Sequence, residues 1–369
     1  MGKYRVCVYA ITKNEEKFVD KWVDSMKEAD MIVVTDTGST DKTIKKLKKR
    51  GVIVHRAKVK PWRFDVARNI SLSHVPNDVD IAVCTDLDEV LLPGWRAALE
   101  EQWTPQMHMG NYLYNWRLNP DGTPHTQFTY FKIHKKQDYT WVCPVHEYLK
   151  FTGTGPENRV YIKGLTLNHY PDPAKSRSAY LDLLEYAVET EPDNVRMKYY
   201  LGREYFYKRR WQECIEMSKT YLTLPGATWH EERSASMRYI AGSYAQLNNI
   251  RESYNWFHRA IAECPHMRES YVDCANVAYK QNDWTTTFFM CDKALQITDK
   301  SMTYVNAGHV WNETPHDLLG IACYHLGMLE RSLEAAKQAL TFVPDDDRLK
   351  NNVTLIQNAL NKKQNKTEN

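Results

Sequence analysis

The feature that most constrains this chain is a change of hydrophobic period near residue 170. Before it, short β-branched runs alternate with helical spacing. After it, only helical spacing remains. Arg5–Ile11 (RVCVYAI) reads as a strand, and Met31–Thr35 (MIVVT) is a continuous apolar run of the kind a strand shows when both its faces are covered. Val52–His55 and Asp80–Thr85 (DIAVCT) are two further strands. Between them, Glu15–Lys27 carries Phe18, Trp22, Val23 and Met26 at helical spacing, and Lys42–Lys49 and Phe64–Ser73 are helix-like. This βαβαβ order predicts an α/β domain with a parallel, doubly wound sheet. Ligands of such sheets sit outside the carboxyl ends of the strands. The polar clusters Thr12–Glu15, Asp36–Asp41 and Asp86–Glu89 fall there. Aromatic runs at Tyr112–Arg117, Gln127–Ile133, Thr140–Val142 and Val160–Ile162 are read as strands completing the same domain.

From Pro171 onward, nine helical patterns run from Leu181 to Phe342. Ile240-Ala241 recurs as Cys274-Ala275, and Ala260-Ile261 as Ala294-Leu295, both at an offset of 34 residues. Leu201-Gly202 and Leu319-Gly320 place the same small residue in other helices. The pattern resembles tetratricopeptide repeats, in which small residues mark where paired helices touch. Other offsets near 39 and 45 imply loop insertions, and three to four units are expected. The expected boundaries are 1–172 for the α/β domain, 173–360 for the all-α solenoid and 361–369 for a disordered tail.

Charge excludes some functions. The 49 basic and 46 acidic residues nearly cancel, which disfavours a general polyanion-binding protein and nucleic acid as partner. No run approaches the ~18 apolar residues of a membrane span, and no secretory leader is evident. The eight cysteines are scattered without a Cys-x-x-Cys pair, so reduced, buried thiols in a cytoplasmic protein are expected.

Asp86-Leu87-Asp88 is the sharpest chemical motif. Two carboxylates one residue apart at a sheet's carboxyl edge suit Mg²⁺ or Mn²⁺, which in turn can hold a diphosphate. Alone, the motif fits a solvated acidic turn equally well. Context strengthens it: Glu89 and Asp36 add carboxylates to the same rim, and crowded carboxylates need a cation or donors to compensate.

Taken together, Thr12-Lys13-Asn14-Glu15-Glu16, Val33–Thr43, Phe64-Asp65-Val66-Ala67-Arg68-Asn69 and Thr85–Glu89 resemble the family 2 glycosyltransferases of GT-A (Rossmann-like) fold, in order as well as in content. Trp141–Glu147 and Leu167–Pro171 resemble a narrower branch containing bacterial lipopolysaccharide-core glucosyltransferases and bacteriocin peptide S-glycosyltransferases. The resemblance implies a metal-dependent inverting hexosyltransferase that uses a UDP-sugar, with UDP-glucose favoured. Ala10, Ile11, Thr12, Glu15, Asp36, Arg68, Asp86, Leu87 and Asp88 would line the nucleotide-sugar site. Asp88, Asp86 and His169 would hold Mn²⁺ or Mg²⁺. Glu147 would be the general base, with His146 beside it. The acceptor would be a peptide, protein or glycan, held by the repeats, and a homodimer is compatible with this reading. Each residue keeps a plainer reading: Asp36 as a turn cap, Arg68 as a surface helix residue, Glu147 in an ion pair, His146 and His169 as packing histidines, Glu15 as a local cap. The branch usually carries an Arg-rich strand where this chain has Gln127–Lys136, so Lys132 or Lys135 is left to substitute. Leu87 is expected to point into packing. The competing functional readings are an inert scaffold and a transferase acting on nucleic acid.

Overall fold

The computed structural model describes residues 2–173 and 179–367. The chain divides into two compact units, Met1–Thr190 and Glu191–Asn369.

The first unit is built on ten strands: β1 (Val6–Thr12), β2 (Met31–Asp36), β3 (Ile53–Arg56), β4 (Ile81–Cys84), β5 (Glu89–Leu91), β6 (Met109–Leu118), β7 (Pro124–Lys135), β8 (Tyr139–Val142), β9 (Tyr148–Phe151) and β10 (Arg159–His169). Its helices are α1 (Val19–Met26), α2 (Thr43–Lys49), α3 (Phe64–Ser73), α4 (Trp95–Gln102) and α5 (Ala179–Thr190). Eight strands form one sheet in the order β3-β2-β1-β4-β7-β6-β10-β5, and β8 and β9 form a separate hairpin. The expected parallel sheet holds over β3-β2-β1-β4. Beyond β4 the sheet is mixed, because β7 enters antiparallel to both β4 and β6. Every residue of β1 is buried. Tyr9 and Cys84 pack with Leu72, Val75 and Trp141 in one apolar cluster. The buried Val19, Trp22, Val23 and Met26 of α1 are the apolar stripe read from the sequence. Trp22 also donates its indole N–H to Thr85 Oγ1 at 3.0 Å, which fixes the end of β4.

The division after Thr190 lies past the boundary expected at 172. Helix α5 belongs to the first unit, and its Tyr180 ring stacks on Phe64 at 6.0 Å.

The second unit holds α6 (Val195–Tyr207), α7 (Trp211–Thr223), α8 (His230–Gln246), α9 (Ile250–Glu263), α10 (Arg268–Lys280), α11 (Trp284–Gln296), α12 (Glu313–His325), α13 (Leu329–Phe342) and α14 (Asp347–Thr367). Four hairpins, α6–α7 through α12–α13, each turn on a residue with left-handed backbone: Arg209, Asn248, Asn282 and Gly327. The four small residues Gly202, Ala241, Ala275 and Gly320 recur with the same spacings of 39, 34 and 45 residues as those turns. Each small residue sits where its helix meets its partner: a Cβ on Gly320 would lie 3.3 Å from the backbone N of Ala336. The 45-residue step contains the extra segment between α11 and α12. Helix α14 extends through much of the tail expected to be disordered; Glu368 and Asn369 lie outside the described residues.

Candidate active site

The carboxyl ends of β1, β2 and β4 bring the polar clusters together. Thr12 pairs with Asp36 across β1 and β2. The loops that follow these strands are laced to each other by side chains. Asn14 Oδ1 accepts from Thr40 N at 2.8 Å, and Asn14 N donates to Ser39 Oγ at 2.9 Å. Glu15, 6% exposed, receives a 3.3 Å bond from Thr12 Oγ1, and its own N–H donates to Thr43 Oγ1 at 2.8 Å. The two motifs thus hold one rim rigid. Ala10 and Ile11 lie inside β1, where Ala10 O accepts from Ser71 Oγ.

Asp36 is 2% exposed, and its Oδ1 accepts from Gly38 N at 3.0 Å and Ser39 N at 3.1 Å. This is the local turn that a short carboxylate makes. The same residue also lines a cavity of about 640 Å³ together with Lys13, Arg56, Lys58 and Trp62. Capping the turn and facing the cavity are therefore both properties of Asp36.

Arg68, on α3, is the centre of the second half of the site. It is 4% exposed, donates Nε to Glu147 Oε1 at 2.5 Å and Nη2 to Asp86 Oδ1 at 2.8 Å, and lies over the Trp141 ring. It is a buried connector rather than a surface residue. Burial opposes its charge, but Asp86 and Glu147 outweigh that and raise its pKa further. Lys132, on β7, is 5% exposed and donates to Asp86 Oδ2 at 3.1 Å and Glu89 Oε1 at 3.3 Å. It reaches the acidic turn from the strand where the resemblance places arginines. Burial opposes the charge of Asp86 as well, and Arg68 and Lys132 hold its carboxyl well below the usual carboxylate range. Glu89 goes the other way: burial, with Asp86 nearby, raises its pKa. Tyr114 donates to Glu89 at 2.8 Å, and Glu89 in turn accepts from Asp86 N at 2.8 Å, so the acidic turn is closed on itself. Leu87 is buried in the core.

Asp88 faces His169, with Oδ2 to Nε2 at 3.6 Å. His169 Nδ1 is 3.0 Å from Trp116 O, an arrangement that places the proton on Nδ1 and directs Nε2 at Asp88. Burial works against protonation of His169, and the Asp88 carboxylate raises its pKa overall. Of the three expected metal ligands, Asp88 and His169 are brought together. Asp86 is turned to Arg68 and Lys132 instead. Among the described residues no group of three His, Cys, Asp or Glu side chains gathers to hold a metal. The donor set Asp88 and His169 still fits a divalent cation of the Mn²⁺ type, as a carboxylate plus an imidazole oriented by a backbone carbonyl. Arg68 and Lys132 are shared among three carboxylates, Asp86, Glu89 and Glu147, which leaves His169 as the ion-pair partner of Asp88 in this acidic turn.

Glu147 follows an unusual turn. Cys143 and His146 both have positive φ, at 79° and 51°, a strained state for residues with side chains. The His146 ring lies beside that of Tyr180, centroids 5.9 Å apart. Two positioning devices were not evident from the sequence. The Asn69 amide grips β8 from both sides, donating to Trp141 O and accepting from Trp141 N, each at 2.8 Å. Tyr9 OH accepts from the Trp141 indole at 2.8 Å and lies 2.9 Å from His134 Nε2. Asn69 closes the Phe64–Asn69 motif, whereas Tyr9 and His134 carry no local signal.

The helical unit resembles several solved structures. One is a chain of the APC/C hetero-tetramer Cut9–Hcn1, at 17% identity, TM-score 0.39, covering 50% of this chain and 33% of that one. Another is TTC0263, a thermophilic TPR protein of Thermus thermophilus, at 15% identity, TM-score 0.35, covering 48% and 89%. A third is PilF of Pseudomonas aeruginosa, at 12% identity, TM-score 0.37, covering 48% and 72%. No curated protein matches the chain in sequence. No described helix is long and apolar enough to cross a membrane. The mixed sheet is GT-A-like, and residues 7–143, which carry the Asp36, Arg68, Asp86 and Asp88 positions, match the family model of glycosyl transferase family 2.

Proposed function

We propose that the first unit is a metal-dependent inverting hexosyltransferase, moving the sugar of a UDP-hexose, UDP-glucose favoured, to a peptide, protein or glycan nucleophile. The observation that carries this reading is the Arg68 bridge between Asp86 and Glu147, set beside the Asp88–His169 pair. It supports a site where the leaving diphosphate and the attacking nucleophile meet. The wall formed by Asp36, Lys13, Arg56 and Trp62 would take the nucleoside. Asp88 and His169 would hold Mn²⁺ or Mg²⁺, which when bound supplies Lewis-acid help to the departing diphosphate. Arg68 and Lys132 would place fixed positive charge where negative charge develops. In the transfer, a lone pair of the acceptor attacks the anomeric carbon. The bond from that carbon to the β-phosphate oxygen breaks, UDP leaves with the electron pair, and the acceptor's proton passes to Glu147. Arg68 engages Oε1 of Glu147, and Oε2 would receive the proton. A cytoplasmic setting is part of the proposal, supported by eight free, buried cysteines.

Titration calorimetry with UDP-glucose and with UDP, each with Mn²⁺, tests the reading, and saturable binding is expected. Absence of binding to UDP and to every UDP-sugar tried would overturn it. Glu147→Gln is expected to keep UDP binding while UDP release from the donor slows by about 10²–10⁴-fold; unchanged turnover would remove Glu147 as the base.

A further inference from the structure

The near balance of charge over the whole chain hides an uneven distribution. Residues 42–64 contain ten lysines and arginines and no aspartate or glutamate; without those ten, the 49 basic and 46 acidic residues would balance on the acidic side. Three of the ten are neutralised by neighbours: Lys46 pairs with Asp20, Arg50 with Asp20 and Asp24, and Arg63 with Asp65. The other seven are exposed, and among the described residues none of them has an ion-pair partner.

These seven fall in two rows. On α2, Thr43 and Leu47 are buried, and Lys42, Lys45 and Lys49 follow one another at helical spacing on the solvent side, with Lys48 beside them. The second row continues β3, where Ala57 N donates to Asp36 O at 2.9 Å. Arg56, Lys58 and Lys60 are exposed while Ala57 and Val59 are half-buried. The cations thus stand at every second residue, about 6.6 Å apart in an extended chain. This row, with Lys13, lines the 640 Å³ cavity, and the carboxylate in that lining, Asp36, is already bonded by Gly38 N and Ser39 N. Ser39 lines the cavity too and leads, three residues on, to Lys42, which ties the start of the α2 row to the same place.

A leaving diphosphate does not account for these charges. It would lie at the Asp88–His169 pair, beyond β4, and the order β3-β2-β1-β4 puts β3 three strand spacings from there, about 14 Å. The uracil and ribose in between are neutral. Lysine supplies six of the seven charges, and its compact ammonium reads charge rather than the planar carboxylate that an arginine fork matches. Neighbouring cations of the second row are as far apart as two stacked nucleotide steps of about 3.4 Å each. A lipid surface is flat and would leave the cations of the cavity wall unmet, whereas a flexible strand can bend into its mouth.

We propose that α2 and residues 56–60 form a docking surface for single-stranded nucleic acid, held by its phosphates without regard to sequence. The strand lays its phosphates on the α2 lysines and on the row of Arg56, Lys58 and Lys60 as it passes the cavity. This binding does not depend on the transfer reaction and is measured without donor or metal.

The test uses the full chain and a fluorescently labelled oligothymidylate, with anisotropy read between about 50 and 200 mM salt. Saturable binding is expected, and log affinity should fall against log salt with a slope of about −0.7 per phosphate contact, so about −5 for seven contacts. Lys45→Gln, Lys48→Gln and Lys49→Gln together are expected to flatten the slope by about 2 and to weaken binding at least tenfold at about 50 mM salt. A charge-matched control in the second unit, Lys280→Gln, Lys337→Gln and Lys362→Gln, is expected to leave both unchanged. No saturable binding at the lowest salt, an unchanged slope in the α2 variant, or an equal loss in the control would each overturn the proposal. So would equal or tighter binding of a labelled polyglutamate, or of vesicles of phosphatidylglycerol and phosphatidylcholine, because the surface would then belong to an acidic peptide or a membrane. Unchanged circular dichroism of the α2 variant shows that charge alone was lost. If it differs, the pair Lys58→Gln and Lys60→Gln decides: a slope flattened by about 1.4 supports the proposal, and an unchanged slope rejects it.

Discussion

At the scale of single residues, His134 shows how burial sets a pH limit. It is fully buried, and desolvation lowers its pKa to about 4, against only a small opposing effect from the carbonyl of Lys135. The neutral ring is therefore the folded form, while the unfolded chain takes up a proton near pH 6.5. Its contribution is fully present above pH 6.5 and is lost as pH falls through about 4, amounting to roughly 3 kcal/mol at the acid end. Urea unfolding at pH 7 and pH 4.5 is expected to show this fall in the unaltered chain and a flatter profile for His134→Gln, which can still bond Tyr9. Arg68 gives the second prediction at this scale. Arg68→Ala removes the guanidinium that both Glu147 and Asp86 bond, leaving Asp86 to Lys132 alone, and it is expected to destabilise the fold by about 3–5 kcal/mol, measured by denaturant unfolding. A loss under 1 kcal/mol would show that Arg68 is not the connector described. Strand ends are local signals and put Asp36, Asp86 and Asp88 at one rim, whereas Arg68 and Glu147 are expected there only from the family resemblance of their motifs. The sequence did not reveal that Arg68 joins Asp86 to Glu147, or that Lys132 reaches Asp86 from a strand 46 residues away. Those bonds depend on β7 lying beside β4, a long-range pairing with no period to read.

Among the elements, the β8–β9 hairpin is tied down by the Asn69 amide as well as by the Trp141–Tyr9 bond. Asn69→Ala removes both of its bonds to Trp141 and leaves that residue's N–H and C=O unmet, an expected cost of about 2 kcal/mol. Hydrogen exchange in residues 139–151 is expected to accelerate; unchanged exchange there would deny the clamp. In the repeats, a Cβ on Gly202 would meet Ser218 Oγ at 2.6 Å. Gly202→Ala is therefore expected to destabilise by about 1–3 kcal/mol, partly offset by the better helix propensity of alanine. Adding Ser218→Ala removes the clashing atom and is expected to restore most of the loss in a double-mutant cycle. The helices were legible because their stripes are long and regular. The order of the eight-stranded sheet was less so, since aromatic runs such as Tyr112–Arg117 announce strands without naming their neighbours.

For the molecule as a whole, the two units carry unlike kinds of order: long-range strand pairing in the first, near-neighbour hairpins in the second. The sequence conveyed this contrast fully, because a period of 34 residues and a βαβ alternation are global patterns. The dividing point was harder to read. Helix α5 has the same apolar spacing as its successors, and only its packing on Phe64 assigns it to the first unit.

All eight thiols are free and buried, three in the first unit and five in the second. Burial raises those of Cys7 and Cys84 to about 12 and about 11 respectively, so in the native state these two have little thiolate to react. The chain therefore carries its own clock for local opening. An alkylating reagent can mark a cysteine only when the structure around it parts. The rate at which each peptide gains the label would time the breathing of Cys7, Cys84 and Cys143 separately from that of the cysteines in the helical hairpins, with no probe engineered in.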